Sequence, residues 1–280
     1  MAKDISGEVL WTFSPVTYGL EHTHDRTVYH SVDFLHTIPG VPTDFVIACE
    51  NDLLTTSDAV AVSSSEIRRE LSARTDNSIR VWENVGDVGL FRQNMQDARE
   101  PKAVFCGNLT PTKVDFSLLM AIADRGIDLV VAGPTTIDGE SADTEVRQLL
   151  AHTNVHYAGT LSQEELSILC GSVSVGLIPY ELNSYTRGVF PMKVYEYIGA
   201  GLPVVATKLP SLEGRVIAGL DVCEATNFVD KVERLINEDL SSDIRAELSQ
   251  QVSRNSWESR TDQVERLIED LLAKESTRSG

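Results

Sequence analysis

The sequence predicts an α/β protein of two domains, each built on a parallel sheet. Two observations predict this class: the strands are apolar along their length, and helices with one apolar face alternate with them. The length of 280 residues favours two domains over one, because a domain has ~150 residues. We expect two doubly wound, Rossmann-like domains, residues 1–98 and 99–254, of which the first is incomplete. A helix in residues 255–280 is expected to return to the first domain.

The second domain has the more regular pattern. Its predicted strands span residues 103–107, 128–133, 155–159, 173–179, 203–207 and 222–225. Its predicted helices span residues 115–125, 143–151, 162–171, 190–201 and 228–237. The third helix opens with a capping box, Ser162-x-x-Glu165. Ligands bind beyond the carboxyl ends of parallel strands, so function is expected in the loops that follow them.

The first domain has four shorter predicted strands, and a polar linker follows it. The strands span residues 9–13, 27–30, 59–62 and 79–82, and the linker spans residues 93–101. A capping box, Ser63-x-x-Glu66, predicts a helix after the third strand. The C-terminal helix carries an apolar stripe that must be buried: Trp257, Thr261, Val264, Leu267, Ile268, Leu271 and Leu272.

Composition and charge exclude several functions. With 24 Lys and Arg against 42 Asp and Glu, the formal charge of -18 repels the nucleic-acid backbone, so no nucleic-acid partner is expected. No apolar run approaches the ~18 residues of a membrane span. The four cysteines lack zinc-site spacing and are expected to be reduced thiols of a cytoplasmic protein.

Lys193 and Glu196 are the strongest candidates for ligand binding. They lie three residues apart in a predicted helix between Pro191 and Gly201, so both project from one face. A lysine can hold an anion, and a carboxylate can accept two hydrogen bonds from a sugar diol, which together suit a ribose with attached phosphates. A surface Lys–Glu pair is the simpler alternative.

A second candidate is the loop that follows the strand at 103–107. Gly107 and Asn108 follow this strand and precede Lys113, whose charge could meet a diphosphate. An ordinary strand-to-helix loop explains the pattern equally well. Arg187 is a further candidate cation. There is no Asp-x-Asp pair in the sequence to hold Mg²⁺, so we expect cationic side chains, and no metal, to hold the phosphates.

His30 and Asp33 follow a predicted strand of the first domain. Either could act as a base or orient a hydroxyl group of an acceptor, and they are the candidate catalytic residues. A polar turn at the end of the strand is the alternative interpretation.

The stretch from Lys193 to Ala206 resembles a known family. It is similar to the Glu-x-x-x-x-Gly-x-Pro-Val-Val element of the GT-B glycosyltransferases, specifically the retaining family 4 enzymes. The resemblance implies that Glu196 holds the ribose of a nucleotide sugar and that the loop from Gly107 to Lys113 meets the diphosphate. It also implies that Thr160 and Leu161 lie beside the base.

The resemblance departs from the family at two places. A first glutamate of the family's paired-glutamate motif would fall at position 188, which is glycine here. A branch that builds cell-surface polysaccharides is closer, with a pattern like residues 183–193. The family's first domain normally begins with further strands and a glycine-bearing loop, so the first domain is expected to be truncated.

The resemblance implies a metal-independent glycosyltransferase without a cofactor. It would transfer a hexosyl group from a UDP- or GDP-linked sugar, with retention, to a glycan or a lipid-linked acceptor. A lipid-linked acceptor would bring the protein to the inner face of the membrane as a peripheral protein. Two alternatives stay open: a nucleotide-sugar-binding remnant without transferase activity, and a GT-B epimerase that acts on the nucleotide sugar.

Overall fold

The computed structural model describes residues 7–38, 40–137, 140–238 and 240–276. These residues form two compact units. The first unit comprises the chain up to Asn84, the short segment Arg187–Phe190 and the C-terminal segment from Glu258. The second comprises Val85–Thr186 and Pro191–Trp257. The units divide at Asn84, earlier in the chain than the predicted boundary at residue 98.

A four-stranded parallel sheet forms the centre of the first unit. The strands are β1 (Gly7–Thr12), β2 (His24–Ser31), β3 (Ala59–Val62) and β4 (Ile79–Val81), and they lie side by side in that order. The helices α1 (Thr43–Thr56) and α2 (Ser65–Ser72) alternate with the strands. One core cluster includes Tyr29, Leu53 and Ile67. A second cluster packs Val28 of β2 against Leu267 and Leu271 of the C-terminal helix.

The predicted start of α2 was displaced by one residue. Ser64, and not Ser63, is the N-cap, because the Ser64 side chain accepts the hydrogen bond of the Ile67 N–H group. The Ser63 hydroxyl donates instead to the Val32 carbonyl at 2.6 Å. Periodicity did not predict α1, whose buried positions include Glu50 as well as apolar residues.

A six-stranded parallel sheet forms the centre of the second unit. Along the chain its elements are α3 (Val88–Gln93), β5 (Glu100–Cys106), α4 (Phe116–Asp124), β6 (Asp128–Ala132), the antiparallel pair β7 (Thr136–Ile137) and β8 (Glu140–Ser141), α5 (Asp143–Leu149), β9 (Val155–Tyr157), α6 (Gln163–Ser172), β10 (Val173–Ile178), α7 (Lys193–Gly199), β11 (Val204–Thr207), β12 (Leu220–Cys223), α8 (Ala225–Asn237) and α9 (Ser242–Gln251). The C-terminal helix is α10 (Trp257–Ser276). The strand order is β12-β11-β10-β5-β6-β9, so the chain reverses its direction of growth between β5 and β10.

This sheet confirms the predicted doubly wound class. Open parallel sheets bind ligands where the strand order reverses, at the carboxyl ends of the two central strands. Here that position is the end of β5 and β10, so the loops after Cys106 and Ile178 are where a ligand is expected.

Three other predicted segments differ from the structure. The predicted linker 93–101 overlaps the last residue of a short helix, α3, and contains the start of β5. Asp87 caps α3, and Phe91 of this helix is buried. The helix predicted from residue 190 begins only at Lys193. In α10, Trp257 and Thr261 are exposed, and burial is confined to the stripe around Leu267 and Leu271. Among the described residues, no helix is both long and apolar enough to cross a membrane.

Candidate active site

Glycines end three neighbouring strands at the ligand-binding edge of the second unit. Gly107, Gly133 and Gly159 follow β5, β6 and β9. The Gly133 N–H donates to the Gly159 carbonyl at 2.8 Å, and a Cβ atom at Gly133 would lie 1.9 Å from the Gly107 carbonyl oxygen. The chain turns are therefore packed backbone against backbone, which only glycine permits at Gly133.

Helix α7 is fixed against this sheet by one aromatic side chain. The Tyr197 ring packs over Gly176 of β10, where a Cβ atom would lie 2.5 Å from it. The Tyr197 hydroxyl accepts a hydrogen bond from the Cys106 N–H at 2.7 Å, at the end of β5. Because the helix contacts both central strands, its rotation is fixed, and with it the direction of the neighbouring Glu196.

The other end of α7 is also held. Gly201 has a φ of 71°, the left-handed conformation that commonly ends helices. The Ser249 hydroxyl donates to the Gly199 carbonyl at 2.6 Å, and the Arg99 guanidinium donates to the Ala200 carbonyl. These bonds satisfy the last carbonyl groups of the helix, which would otherwise lack partners.

Lys193 and Glu196 form a buried ion pair on α7. Glu196 is 0% exposed, and the Lys193 ammonium donates a hydrogen bond to its Oε2 atom. Burial by itself lowers the pKa of Lys193, but the adjacent carboxylate outweighs this and raises the pKa above its ordinary value. The ammonium also lies 5.9 Å from the centre of the Phe91 ring. The simpler alternative, an exposed surface pair, is wrong.

Two residues that sequence reasoning missed lie against the Glu196 side chain. Gln163, the first residue of α6, donates from its side-chain amide to Glu196 Oε1 at 2.6 Å. Gly86 lies under the side chain, since a Cβ atom there would be 2.7 Å from Glu196 Cγ. Neither residue lies near α7 in sequence. The only local signal was the capping box Ser162-x-x-Glu165, which the structure confirms and which places Gln163 at the start of α6.

The loops after β5 and β10 are hydrogen-bonded to each other. The Asn183 side-chain amide donates to the Thr112 carbonyl at 2.7 Å, and the Asp115 N–H donates to the Pro179 carbonyl at 2.8 Å. Within this pair of loops the Lys113 ammonium lies 5.0 Å from the centre of the Tyr180 ring. The structure therefore places the candidate diphosphate lysine at the edge where the strand order reverses.

The remaining donor-site candidates of the second unit lie in its loops. Asn108 is exposed directly after Gly107. Thr160 is exposed and Leu161 is half-buried, and both lie between β9 and α6, next to the cap residue Ser162. Their predicted contacts with a diphosphate and a base stay predictions.

Arg187 belongs to the first unit. Its guanidinium group donates to Glu70 Oε2 at 2.8 Å and lies 4.8 Å from the centre of the Phe34 ring. Glu70 also lies 3.4 Å from His36. In this structure the arginine is therefore engaged by a carboxylate, and its predicted role at a diphosphate stays a prediction.

His30 and Asp33 lie at the carboxyl end of β2. The His30 ring is packed among Trp11, Phe13 and Trp82, with ring centres 6.1, 5.1 and 6.1 Å away. Burial, with a contribution from the Arg260 guanidinium, lowers the pKa of His30 to about 4, so the ring is neutral at pH 7. Asp33 is half-buried in the following loop. Within the described residues, no group of three His, Cys, Asp or Glu side chains converges to hold a metal.

The fold is shared with solved glycosyltransferase structures. Sucrose-phosphate synthase from Thermosynechococcus elongatus superposes with a TM-score of 0.76 at 15% identity, over 95% of this chain and 74% of that one. Anabaena HepE, solved in complex with UDP, gives a TM-score of 0.73 at 14% identity, over 94% and 79% of the two chains. At these identities the likeness concerns the fold, which is of the GT-B type with two Rossmann-like domains.

Sequence comparison finds a matching family model. Residues 100–238 match the model of the family described as "Glycosyl transferases group 1". TuaH of Bacillus subtilis (strain 168), whose name describes a glycosyltransferase of teichuronic acid biosynthesis, is 28% identical over 177 residues. The match covers 59% of this chain and 44% of TuaH, so the chain spans less than half the length of this relative.

Proposed function

We propose that this chain is a glycosyltransferase that moves a hexosyl group from a nucleotide-diphosphate sugar to a glycan or lipid-linked acceptor. The observation that carries the proposal is the buried Glu196 carboxylate, held by Lys193 at the edge where a doubly wound sheet binds its ligand. The group 1 glycosyl transferase match of residues 100–238 and the name of TuaH support it.

The second unit is the proposed donor site. In it, Glu196 accepts hydrogen bonds from a ribose diol, because each of its two carboxylate oxygens can accept a hydrogen bond from a hydroxyl group. Thr160 and Leu161 would lie beside the base. UDP bound to Anabaena HepE supports a nucleoside diphosphate of this kind, with GDP as the other candidate.

Fixed cations are the proposed means of stabilising the leaving diphosphate. Lys113 and Lys193 of the second unit are two of the proposed cations, and Arg187 of the first unit is the third. Cations held in place before the reaction stabilise the charge that develops on a leaving group, so no metal ion is required in this proposal. Transfer with retention follows the family resemblance.

His30 and Asp33 are the proposed residues on the acceptor side. A neutral imidazole can accept a proton or a hydrogen bond from an acceptor hydroxyl, and the lowered pKa of His30 keeps it neutral. The proposed location is the cytoplasm, including the inner face of the membrane for a lipid-linked acceptor. The free cysteines, Cys49, Cys106, Cys170 and Cys223, suit a reducing compartment.

Calorimetric titration with UDP and GDP tests the donor site. We expect the wild-type protein to bind one of them saturably and Glu196→Gln to bind it roughly 100-fold more weakly, because the amide has no charge and only one acceptor oxygen for the diol. Glu164→Gln, at an exposed position of α6, is the matched control, and circular dichroism checks folding. Failure of both nucleotides to bind would overturn the proposal.

A transfer assay with nucleotide sugars and glycan or lipid-linked acceptors tests the reaction. Transfer of a hexosyl group supports the proposal. Nucleotide binding without transfer to any acceptor would favour a binding remnant, and a changed sugar without an acceptor would favour an epimerase.

A further inference from the structure

Glu196 has no exposed surface in the structure, although the proposed function requires a ligand to reach it. Its side chain is 0% exposed, with Lys193 on Oε2 and Gln163 on Oε1. Any diol that binds this carboxylate must therefore displace a group that covers it.

The two covering side chains differ in how firmly they are held. The Lys193 side chain is only 15% exposed and its ammonium group neutralises the buried charge, so moving it away would leave an unpaired carboxylate. Gln163 is an exposed residue and carries no charge. Its amide can leave Oε1 for water at a small cost, because water replaces the lost hydrogen bond.

We infer that Gln163 is a displaceable cover of the ribose site, whose amide occupies the place on Glu196 Oε1 that a ribose hydroxyl takes in the complex. The inference rests on the proposed function and adds to it a residue that sets affinity for the ribose. An amide N–H and a sugar hydroxyl are both neutral donors, so either can satisfy the same carboxylate oxygen.

The geometry of α6 supports this role. Gln163 is the first residue of the helix, and Ser162 before it forms a reciprocal capping box with Glu165. The backbone at Gln163 is thereby fixed while the side chain extends to Glu196. A long side chain on a fixed backbone can move by rotation about its own bonds, without moving the helix.

A side chain that covers Glu196 and a side chain that only positions it should have opposite effects on ribose affinity when they are removed. Removing a competing donor should strengthen ribose binding, whereas removing a positioning contact should weaken it. We expect Gln163→Ala to bind the recognised nucleotide, UDP or GDP, about three- to tenfold more tightly than the wild-type protein. Its affinity for the 2′,3′-dideoxy counterpart should be unchanged, because that ligand has no diol to exchange with the amide.

Calorimetric titration of UDP, GDP and their 2′,3′-dideoxy counterparts tests the inference. Gln148→Ala, at an exposed position of α5, is the matched control and should bind as the wild-type protein does, and thermal unfolding verifies that both variants fold. Suppose that the wild-type protein discriminates against the dideoxy nucleotide, but that Gln163→Ala binds UDP or GDP no more tightly than the wild-type protein does. The covering role of Gln163 is then contradicted, while the ribose site at Glu196 is supported. If the wild-type protein binds neither nucleotide, or does not discriminate against the dideoxy form, the ribose site itself fails and the inference fails with it.

Discussion

Glu196 in the second unit and His30 in the first are both ionisable side chains removed from solvent, but their surroundings differ. Each oxygen of Glu196 accepts a hydrogen bond, one of them from a cation. His30 lies among three aromatic rings, and its Nε2 atom has no hydrogen-bond partner among the described residues. The carboxylate is therefore hydrogen-bonded through both oxygens, whereas the imidazole is buried as the neutral form.

The difference shows two ways in which a protein prepares a polar group for a ligand. A charged group must be satisfied before the ligand arrives, so its partners have to be displaced or shared on binding. A buried neutral group can remain without a hydrogen bond until the ligand binds, and the missing hydrogen bond lowers the free energy of unfolding by ~1–3 kcal/mol. Substitutions beside Glu196 and at His30 should therefore change the free energy of unfolding in different ways.

The largest expected effect follows removal of the cation beside Glu196. Lys193→Met leaves the buried carboxylate with Gln163 alone, and we expect the free energy of unfolding to fall by about 3–5 kcal/mol, measured by urea denaturation. The double variant Lys193→Met/Glu196→Gln should recover most of this loss, because it no longer buries an unpaired charge.

The matched control for that experiment is Lys102→Met. Lys102 pairs with Glu100 on the surface, where its side chain is 34% exposed, so its loss should cost less than ~1 kcal/mol. Equal losses for the Lys193 and Lys102 variants would contradict the view that the Lys193–Glu196 pair is a buried one.

The second effect concerns His30 and is pH-dependent. The folded protein takes up a proton on His30 only near pH 4, whereas the unfolded chain does so near its ordinary pKa of 6.5. Between these two pH values, unfolding is therefore accompanied by the binding of one proton. The contribution of His30 to the free energy of unfolding falls as the pH falls from 6.5 to 4 and does not change above pH 6.5. The loss should reach about 3 kcal/mol at the acid end.

His30→Phe should remove this acid-dependent loss, measured as the difference between the urea denaturation curves of the variant and the wild-type protein at each pH. His22→Gln is the control, because the His22 side chain is 72% exposed. A variant that lost as much stability as the wild-type protein between pH 6.5 and 4 would show that His30 is not buried as the neutral ring.

The same two regions show which features sequence reasoning could predict. The Lys193–Glu196 pair and the candidate loops were predictable because their residues are close in sequence or directly follow apolar strands. Gln163 and Gly86 were not, since they meet Glu196 only after α6, α7 and the segment before α3 have packed together. Such long-range contacts leave no periodic pattern in the chain.

In the first unit, similar reasons explain what was missed. The helix α1 buries Glu50, which accepts a hydrogen bond from the Tyr29 hydroxyl at 2.6 Å, so its buried face does not look apolar in the sequence. The aromatic surroundings of His30 were hidden because Trp11 lies in β1 and Trp82 directly follows β4, and these two strands are the edges of the sheet. Their rings meet 5.8 Å apart only in the folded unit.

The third effect tests how closely the chain packs beneath Glu196. A Cβ atom at Gly86 would lie 2.7 Å from Glu196 Cγ and 3.3 Å from its backbone nitrogen, so Gly86→Ala must move the carboxylate or α7. We expect a loss of about 1–3 kcal/mol in the free energy of unfolding. Gly89→Ala is the control, because its Cβ atom would meet nothing closer than 3.9 Å and lies in helix α3. Equal stability of the two variants would show that Glu196 has room to move.

The smallest effect concerns the cap that holds Gln163. Ser162→Ala removes the side-chain acceptor of the Glu165 N–H group, at a cost of ~1 kcal/mol measured by urea denaturation, whereas Ser162→Asp keeps an acceptor and should cost little. Because Gln163 is the first residue of α6, loosening this turn also loosens its amide from Glu196. Ser162→Ala should therefore change nucleotide affinity in the same direction as Gln163→Ala, and by less. A change in the opposite direction would mean that the turn contributes to ribose binding in another way than by holding the cover in place.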